Sequence, residues 1–394
     1  MQRVYEEDSK CCGCGACMYR CPKKAIYMKN NQDGFMFPVI DKQKCIDCGL
    51  CRKICAFSVQ VKNPPQKMPL AFAAVNMNKD MLYESTSGGV FSAIAHHFLG
   101  NGGAVCGARM SITGNQAVIE HILITKQEDG LRSLQGSKYV QSNLFNCMEE
   151  METLLKQKRP VLFSGTPCQV DVVKKMFLNY KDYLYTIDII CHGVPSAEFF
   201  NDYLSHFRKK NHVDIDEFLF RSKKYGWGLQ GITKTKTGSE FPIDPLNSSY
   251  YNFFLNGDIY RESCYACPYA CLNRPGDITI GDYWGIEKYD KALLKENGGN
   301  FSTNEGVSCL LINTPKGKTM IQEHGSCLEQ AEIMIQNLLH INRQLKEPAK
   351  KTSKRKLIFQ LYRIGGYSSV EMLYACWQQI RKCKNLLRRL KRQN

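Results

Sequence analysis

The sequence predicts an α+β chain in three parts: a small cysteine-rich domain at the N-terminus, a larger mixed α/β body and a basic helical tail. Three observations predict this. Nine of the 20 cysteines fall between Cys11 and Cys55. From Arg159 onward, short apolar strand patterns alternate with helical ones, as in a parallel sheet with crossover helices. After Ser368, apolar residues recur at three- and four-residue steps among lysines and arginines, the pattern of an amphipathic helix.

The N-terminal cysteines hold two copies of one spacing. Cys11, Cys14, Cys17 and Cys21 followed by Pro22 make the C-x2-C-x2-C-x3-C-P run of bacterial-type ferredoxins. Cys45, Cys48, Cys51 and Cys55 repeat it, with Ala56 in place of proline. In such runs three close thiolates hold one [4Fe–4S] cube and the fourth reaches to the other cluster. Cys11, Cys14, Cys17 and Cys55 are therefore assigned to one cube, and Cys45, Cys48, Cys51 and Cys21 to the other, in a 2[4Fe–4S] ferredoxin-like domain over residues 1–62. A disulfide framework is the alternative in an oxidising compartment, but the opening Met1-Gln2-Arg3-Val4-Tyr5-Glu6 has no apolar signal-peptide core. Zinc ribbons do not pair ligands with this triple spacing. Cys12 lies outside the pattern and is read as a bystander thiol.

Composition and charge narrow the class. A chain of 394 residues with 43% hydrophobic content suffices for two or three domains. No apolar run approaches the 18 residues of a membrane span. The many cysteines without a secretory signal point to a reducing cytoplasm. The net charge of +16 is uneven: residues 342–394 carry fifteen Lys or Arg against Glu347 and Glu371, which leaves about +3 for residues 1–341.

Val61 to Pro69, with Pro64, Pro65 and Pro69, reads as an extended linker placed at 63–70. A body over 71–340 opens with a strand at Leu70–Val75. Ser87-Gly88-Gly89-Val90 then leads into a helix through about Leu99, a helix start that suits phosphate but is also an ordinary cap. Two strands are expected across 103–124, and Gly136-Ser137-Lys138-Tyr139-Val140 is expected to open another helix. Pro160–Phe163 and Tyr183–Ile190 are strands, each ended by a turn that carries a cysteine: Cys168 in Gly165-Thr166-Pro167-Cys168-Gln169, and Cys191 in Cys191-His192-Gly193-Val194-Pro195-Ser196. Ligands gather at the carboxyl ends of such strands, so Cys168 and Cys191 are placed on one site. Cys264 and Cys267, spaced C-x2-C, bring the count to the four thiolates that a third cube needs. Zinc on Cys264, Cys267 and Cys271, or a redox-active C-x-x-C pair, are the other readings of the same residues.

The dicluster segment, Ser87-Gly88-Gly89-Val90, Gly136–Ser142, Gly165–Gln169, Cys191–Ser196 and Asp277-Ile278-Thr279-Ile280-Gly281-Asp282-Tyr283-Trp284-Gly285, in this order, resemble the coenzyme F420 hydrogenase/dehydrogenase beta-subunit family over residues 1 to about 320. The resemblance implies FAD and [4Fe–4S] cofactors, and electron transfer between iron–sulfur centres and a two-electron deazaflavin. It implies Cys168, Cys191, Cys264 and Cys267 as ligands of a third cube, with Cys271 in reserve, and Ser87, Gly88, Gly89 and Lys138 near the flavin. The chain also resembles bacterial members associated with surface-polysaccharide gene sets, so the substrate is expected to be an F420-like deazaflavin or another small organic molecule. The catalytic subunits such beta subunits serve are not in this chain, so a redox partner protein or ferredoxin is expected.

His192 and Asp282 are the candidate catalytic residues, although His192 beside a cysteine ligand equally suits a hydrogen bond to cluster sulfur. His96, His97, Tyr250 and Tyr251 are read as packing residues, as is Trp227, for which stacking on a flavin is the alternative. Cys106, Cys147, Cys309, Cys327, Cys376 and Cys383 receive no role. The reading is an oxidoreductase; a non-enzymatic electron-transfer subunit is the rival. No nucleic-acid fold accompanies the basic tail (341–394). Its stripe of Val370, Leu373, Tyr374, Trp377, Ile380, Leu386, Leu387 and Leu390 is expected either to dock on the body or a partner, or to lie on the inner membrane face, with Gly365-Gly366 letting it move separately.

Overall fold

The computed structural model describes residues 4–57, 68–114 and 116–393, with side chains described as far as Lys384. The expected linker lies mostly outside these residues. Among the described residues thirteen strands run in chain order as β1 (Ile26–Asn30), β2 (Met36–Ile40), β3 (Leu70–Asn76), β4 (Ala104–Thr113), β5 (Gln116–Ile124), β6 (Val161–Gly165), β7 (Leu184–Ile189), β8 (Ile215–Leu219), β9 (Gly231–Thr235), β10 (Glu240–Ile243), β11 (Ile278–Asp282), β12 (Ser308–Ile312) and β13 (Leu328–Glu332).

In the cysteine-rich domain, β1 and β2 form an antiparallel hairpin, and each C-x2-C-x2-C run wraps a single helical turn, Ala16–Tyr19 and Leu50–Lys53. Each turn starts on a glycine in the left-handed region with nearly identical backbone angles, Gly15 (φ 79, ψ −1) and Gly49 (φ 73, ψ −1). The sequence repeat is thus also a repeat of local structure.

The body is built on an eight-stranded sheet in the order β13-β3-β12-β11-β7-β6-β4-β5. Its centre, β4, β6, β7 and β11, is parallel; the remaining pairs are antiparallel. Side-chain alternation along β6 supplies both faces. Leu162 packs toward the helices Val90–Gly100 and Pro315–His324, while Val161 and Phe163 pack toward Cys147–Lys156 and Pro167–Met176. A smaller sheet, β10-β9-β8, is antiparallel.

Two expectations need correction. The segment from Gly136 does not open a helix; the helix starts at Cys147. Tertiary partners take the backbone donors instead: the Ser137 amide donates to Thr86 Oγ1 (2.9 Å), Gln141 to the Pro195 carbonyl (3.0 Å) and Asn143 to that of Ile119 (3.2 Å). The second correction concerns the tail. Helix Ser353–Gln393 is kinked at Gly365 and Gly366, where φ/ψ leave the helical region, yet both sides of the kink pack on the body. Ile358, Phe359, Tyr362, Tyr367, Val370 and Tyr374 are buried in the same core as Phe199 and Tyr203. Arg363 pairs with Asp33 of the cysteine-rich domain at 2.7 and 2.9 Å. Tyr374 and Trp377 meet Phe253 edge-on. This part of the stripe is occupied by the body, not open to a membrane. Leu386, Leu387 and Leu390 fall beyond the described side chains.

A chain truncated after Tyr367 loses the buried Val370 and Tyr374. At roughly 1.5–3 kcal/mol for a buried side chain of this size, the expected loss is about 3–6 kcal/mol. Thermal melting beside the full-length protein measures it; equal melting temperatures would show the second half of the helix to be dispensable. Among the described residues no helix is long and apolar enough to cross a membrane.

Candidate cluster and cofactor site

The thiols of the cysteine-rich domain lie close to one another. Cys17 has Cys11, Cys55 and Cys51 as electrostatic neighbours, and burial, reinforced by those neighbours, raises its pKa. Cys51 instead has Cys48 and Cys21 beside it, with burial again the main cause of a raised pKa. Cys21, Cys45, Cys48 and Cys51 line one small pocket. Cys21 thus lies beside the second run, and Cys55 near Cys17 of the first.

A second gathering forms at the carboxyl ends of the parallel strands, around a cavity of about 340 Å³, within the usual range for small-molecule sites. Cys168, Cys191, Cys264 and Cys267 all line it. Cys168 is placed by a helix cap: the Thr166 amide donates to Gln169 Oε1 (3.0 Å), Pro167 occupies the first helical position, and Thr166 Oγ1 lies 3.3 Å from Cys168 Sγ. Cys191 follows β7, whose end is fixed by Asp188. That carboxylate receives Arg274 Nε (3.0 Å), Arg274 NH2 (2.6 Å) and the Gly276 amide (2.8 Å), all buried. Arg274 also donates to the carbonyls of Tyr269 and Ile189, both at 2.7 Å, and so ties the loop after Cys267 to the strand before Cys191.

Burial first, and then the neighbouring thiolates, push the pKa of Cys191, Cys264 and Cys267 up to about 12; that of Cys168 is raised first by its hydrogen bond with Cys12 and then by burial. Four thiols held this way repel each other as anions, so the set suits a group that brings several positive centres. Among the described residues no three His, Cys, Asp or Glu side chains stand as the ligands of one ion would; a cube instead takes one thiolate on each of its irons. Cys271, the reserve ligand, does not line the cavity: its thiol donates toward the carbonyls of Pro268 and Asn273, both at 3.5 Å.

The other candidates divide. Ser87, Gly89, Lys138, His192 and Asp282 line the cavity. Gly88 does not; a Cβ there would stand 2.2 Å from the Ala74 carbonyl oxygen and 2.6 Å from the Ser308 nitrogen, so its glycine serves close packing on β3 and β12. Lys138 donates to the carbonyls of Ser133 (3.1 Å) and Gln135 (2.6 Å), and burial lowers its pKa to about 7. His192 is exposed where it opens on the cavity; the protein packed around its ring lowers its pKa, with Asp282 opposing the shift. Asp282 receives Arg221 NH1 at 2.6 Å, and Arg221 lies over Trp284, which stacks on Trp227 at 4.1 Å. Trp227 thus packs behind the cavity-lining Trp284. Tyr250 and Tyr251 are buried in the core, His97 meets His324 at 3.0 Å, and His96 lies near Gln127.

Sequence reasoning missed three residues. Cys12 lines the cavity, its thiol within hydrogen-bonding reach of both Cys14 and Cys168, so it stands between the dicluster set and the body set. Its position next to Cys11 was the available signal. Arg261, fully buried, donates to the carbonyls of Cys11 (2.6 Å) and Met36 (2.8 Å) and packs over Phe37, joining the domains. His121 is buried on the cavity wall, its pKa lowered by burial to about 4. Neither had a sequence signal, since both act through long-range partners. Two buried atoms of cavity-lining residues, His121 Nδ1 and Asp282 Oδ1, have no hydrogen-bond partner among the described residues.

Together the fold and the two gatherings of thiols define an iron–sulfur redox protein. Residues 10–59 match the 4Fe-4S dicluster domain model. Residues 158–336 match the model of the C-terminal region of the coenzyme F420 hydrogenase/dehydrogenase beta-subunit family. A solved chain from the xenon-derivatized F420-reducing [NiFe] hydrogenase complex of Methanosarcina barkeri aligns with a TM-score of 0.48 and 14% identity, over 76% of this chain and 94% of its own. No curated protein matches.

Proposed function

We propose that the chain is an iron–sulfur flavoprotein oxidoreductase that passes electrons from two cubes on residues 1–62, through a third on Cys168, Cys191, Cys264 and Cys267, to FAD and a two-electron substrate, or in reverse. The observation that carries this is the sharing of one cavity by those four thiols and by Ser87, Gly89, Lys138 and Asp282. The unit over 71–340 would hold these groups, and 341–394 would brace it. A flavin, when bound, supplies the conversion between one- and two-electron steps. The protein's own part is placement. Arg274 and Asp188 fix the strand end that carries Cys191. Asp282, held by Arg221, offers a fixed acceptor on the cavity wall. Lys138 lies below its ordinary protonation range, so an anionic group bound beside it would draw a proton onto it. The substrate class is an F420-like deazaflavin or another organic two-electron molecule, and the partner a redox protein.

Anaerobic purification with iron, sulfide and flavin quantified per chain tests the reading. About twelve irons, four for each of three cubes, and one non-covalent FAD are expected. Iron near eight with no flavin, and a spectrum unmoved by added FAD or FMN, would leave only the electron-carrier alternative.

A further inference from the structure

The Cys21, Cys45, Cys48 and Cys51 set differs from its neighbours in exposure and in charge. Cys48 is exposed, Cys21 and Cys45 are half-buried and Cys51 is buried, whereas in the other set no thiol is exposed, Cys11 and Cys17 being buried and Cys14 and Cys55 half-buried. Ile46, on the rim of the same pocket with Lys23, has 59% of its surface open. Lys23 lines the pocket, and Lys24, Lys42, Lys44, Arg52 and Lys53, all exposed, lie within three residues of its cysteines in the chain, six cations against two acids, the half-buried Asp41 and the exposed Asp47. Both acids are in open ion pairs, Asp41 with Lys44 at 3.5 Å and Asp47 with Arg52 at 4.0 Å. The exposed acids Glu6, Glu7 and Asp8 belong to the other end of the domain, where residues 8–10 pack against the Glu262–Ala266 turn. Because residues 1–341 as a whole are close to neutral, the excess here is local.

We infer that this face is the docking surface for a small acidic one-electron carrier protein, which exchanges electrons with the cube held by Cys21, Cys45, Cys48 and Cys51. The inference rests on the dicluster reading and not on the flavin. An exposed apolar residue among charged ones is the usual anatomy of a transient interface, and complementary charge acts on the rate of encounter. A second copy of this chain would meet like charge with like, so it is not the occupant. In the exchange one electron moves from the reduced carrier to the oxidised cube, and no bond is made or broken.

Stopped-flow mixing of a reduced acidic [2Fe–2S] ferredoxin with the oxidised, reconstituted full chain, followed by bleaching of the cluster absorption, tests it without reference to flavin. The second-order rate constant should fall at least about tenfold between about 0.02 and 0.5 M salt, as screening shortens the reach of the charges. Lys23→Glu with Lys53→Glu should lower it at least about tenfold at low salt. Lys23→Gln with Lys53→Gln should fall between, and Lys10→Glu, at the other end of the domain, should change it less than about twofold. Iron per chain checks that each variant is folded. Reduction by methyl viologen radical, a small cation, should not slow in the charge-reversed variant. Rates indifferent to both salt and charge reversal overturn the inference. So does a face that holds the chain on phosphatidylserine vesicles, with the charge-reversed variant released from them but still reacting with the ferredoxin at the normal rate.

Discussion

Replacing Cys267 with serine should cost the chain about four of about twelve irons while the dicluster signals persist. The reason is topological. The N-terminal cysteines come from residues 11–55, whereas Cys267 belongs to a separate turn beside Cys168 and Cys191. No spare thiol stands ready on its own loop, since Cys271 is turned to the carbonyls of Pro268 and Asn273. Electron passage from the dicluster domain to a bound flavin should then slow by at least about a hundredfold, an extrapolation from the loss of a whole centre in the proposed route. Cys12→Ala is the contrast. It removes a thiol in reach of Cys14 and Cys168, so the iron content should stay at about twelve while transfer between cubes slows. Iron analysis with electron paramagnetic resonance of the reduced protein reads both variants. Loss of four irons from Cys12→Ala, with none lost from Cys267→Ser, would exchange the two roles.

Asp188→Ala should destabilise the protein by about 3–5 kcal/mol, the range for removing one partner of a buried ion pair. The Arg274 and Asp188 side chains are 1% and 0% exposed, so the alanine variant leaves a guanidinium in the interior without its counter-charge. For a domain of this size the melting temperature should fall by roughly 2–4 °C for each kcal/mol. The loss should also reach the cluster site, because Arg274 joins the carbonyls of Tyr269 and Ile189 and so sets Cys267 against Cys191. Asp188→Leu combined with Arg274→Met should recover part of the stability, since a buried pair replaced by apolar groups costs far less than one broken. A single alanine variant that melts with the parent would show the pair to be energetically idle.

Much of the dicluster domain was legible because its information is local. A C-x2-C-x2-C run places three thiols around one helical turn, and repeating it 34 residues later, Cys11 to Cys45, repeats the turn with its left-handed glycine. The strand and helix alternation around Cys168 and Cys191 was legible for the same reason, and β6 and β7 are parallel neighbours. Periodicity misjudged residues 136–143, whose backbone donors go to Thr86, Pro195 and Ile119 rather than to a helix. Those partners lie at least 24 residues away, as Asn143 to Ile119, and no local window contains them.

The sequence by itself determined the two repeated cysteine runs with their helical turns, the parallel strand pair and the amphipathic character of the final helix. Each of these is fixed by residue type at a short, regular spacing. Only the tertiary structure decided that Cys168, Cys191, Cys264 and Cys267 share a cavity, that Cys12 stands between Cys14 and Cys168, and that Gly88 packs strands while Gly89 faces the cavity. It also decided where the final helix goes. An apolar stripe states how much surface must leave water but not what will cover it; here Phe199, Tyr203 and Phe253 of the body do so.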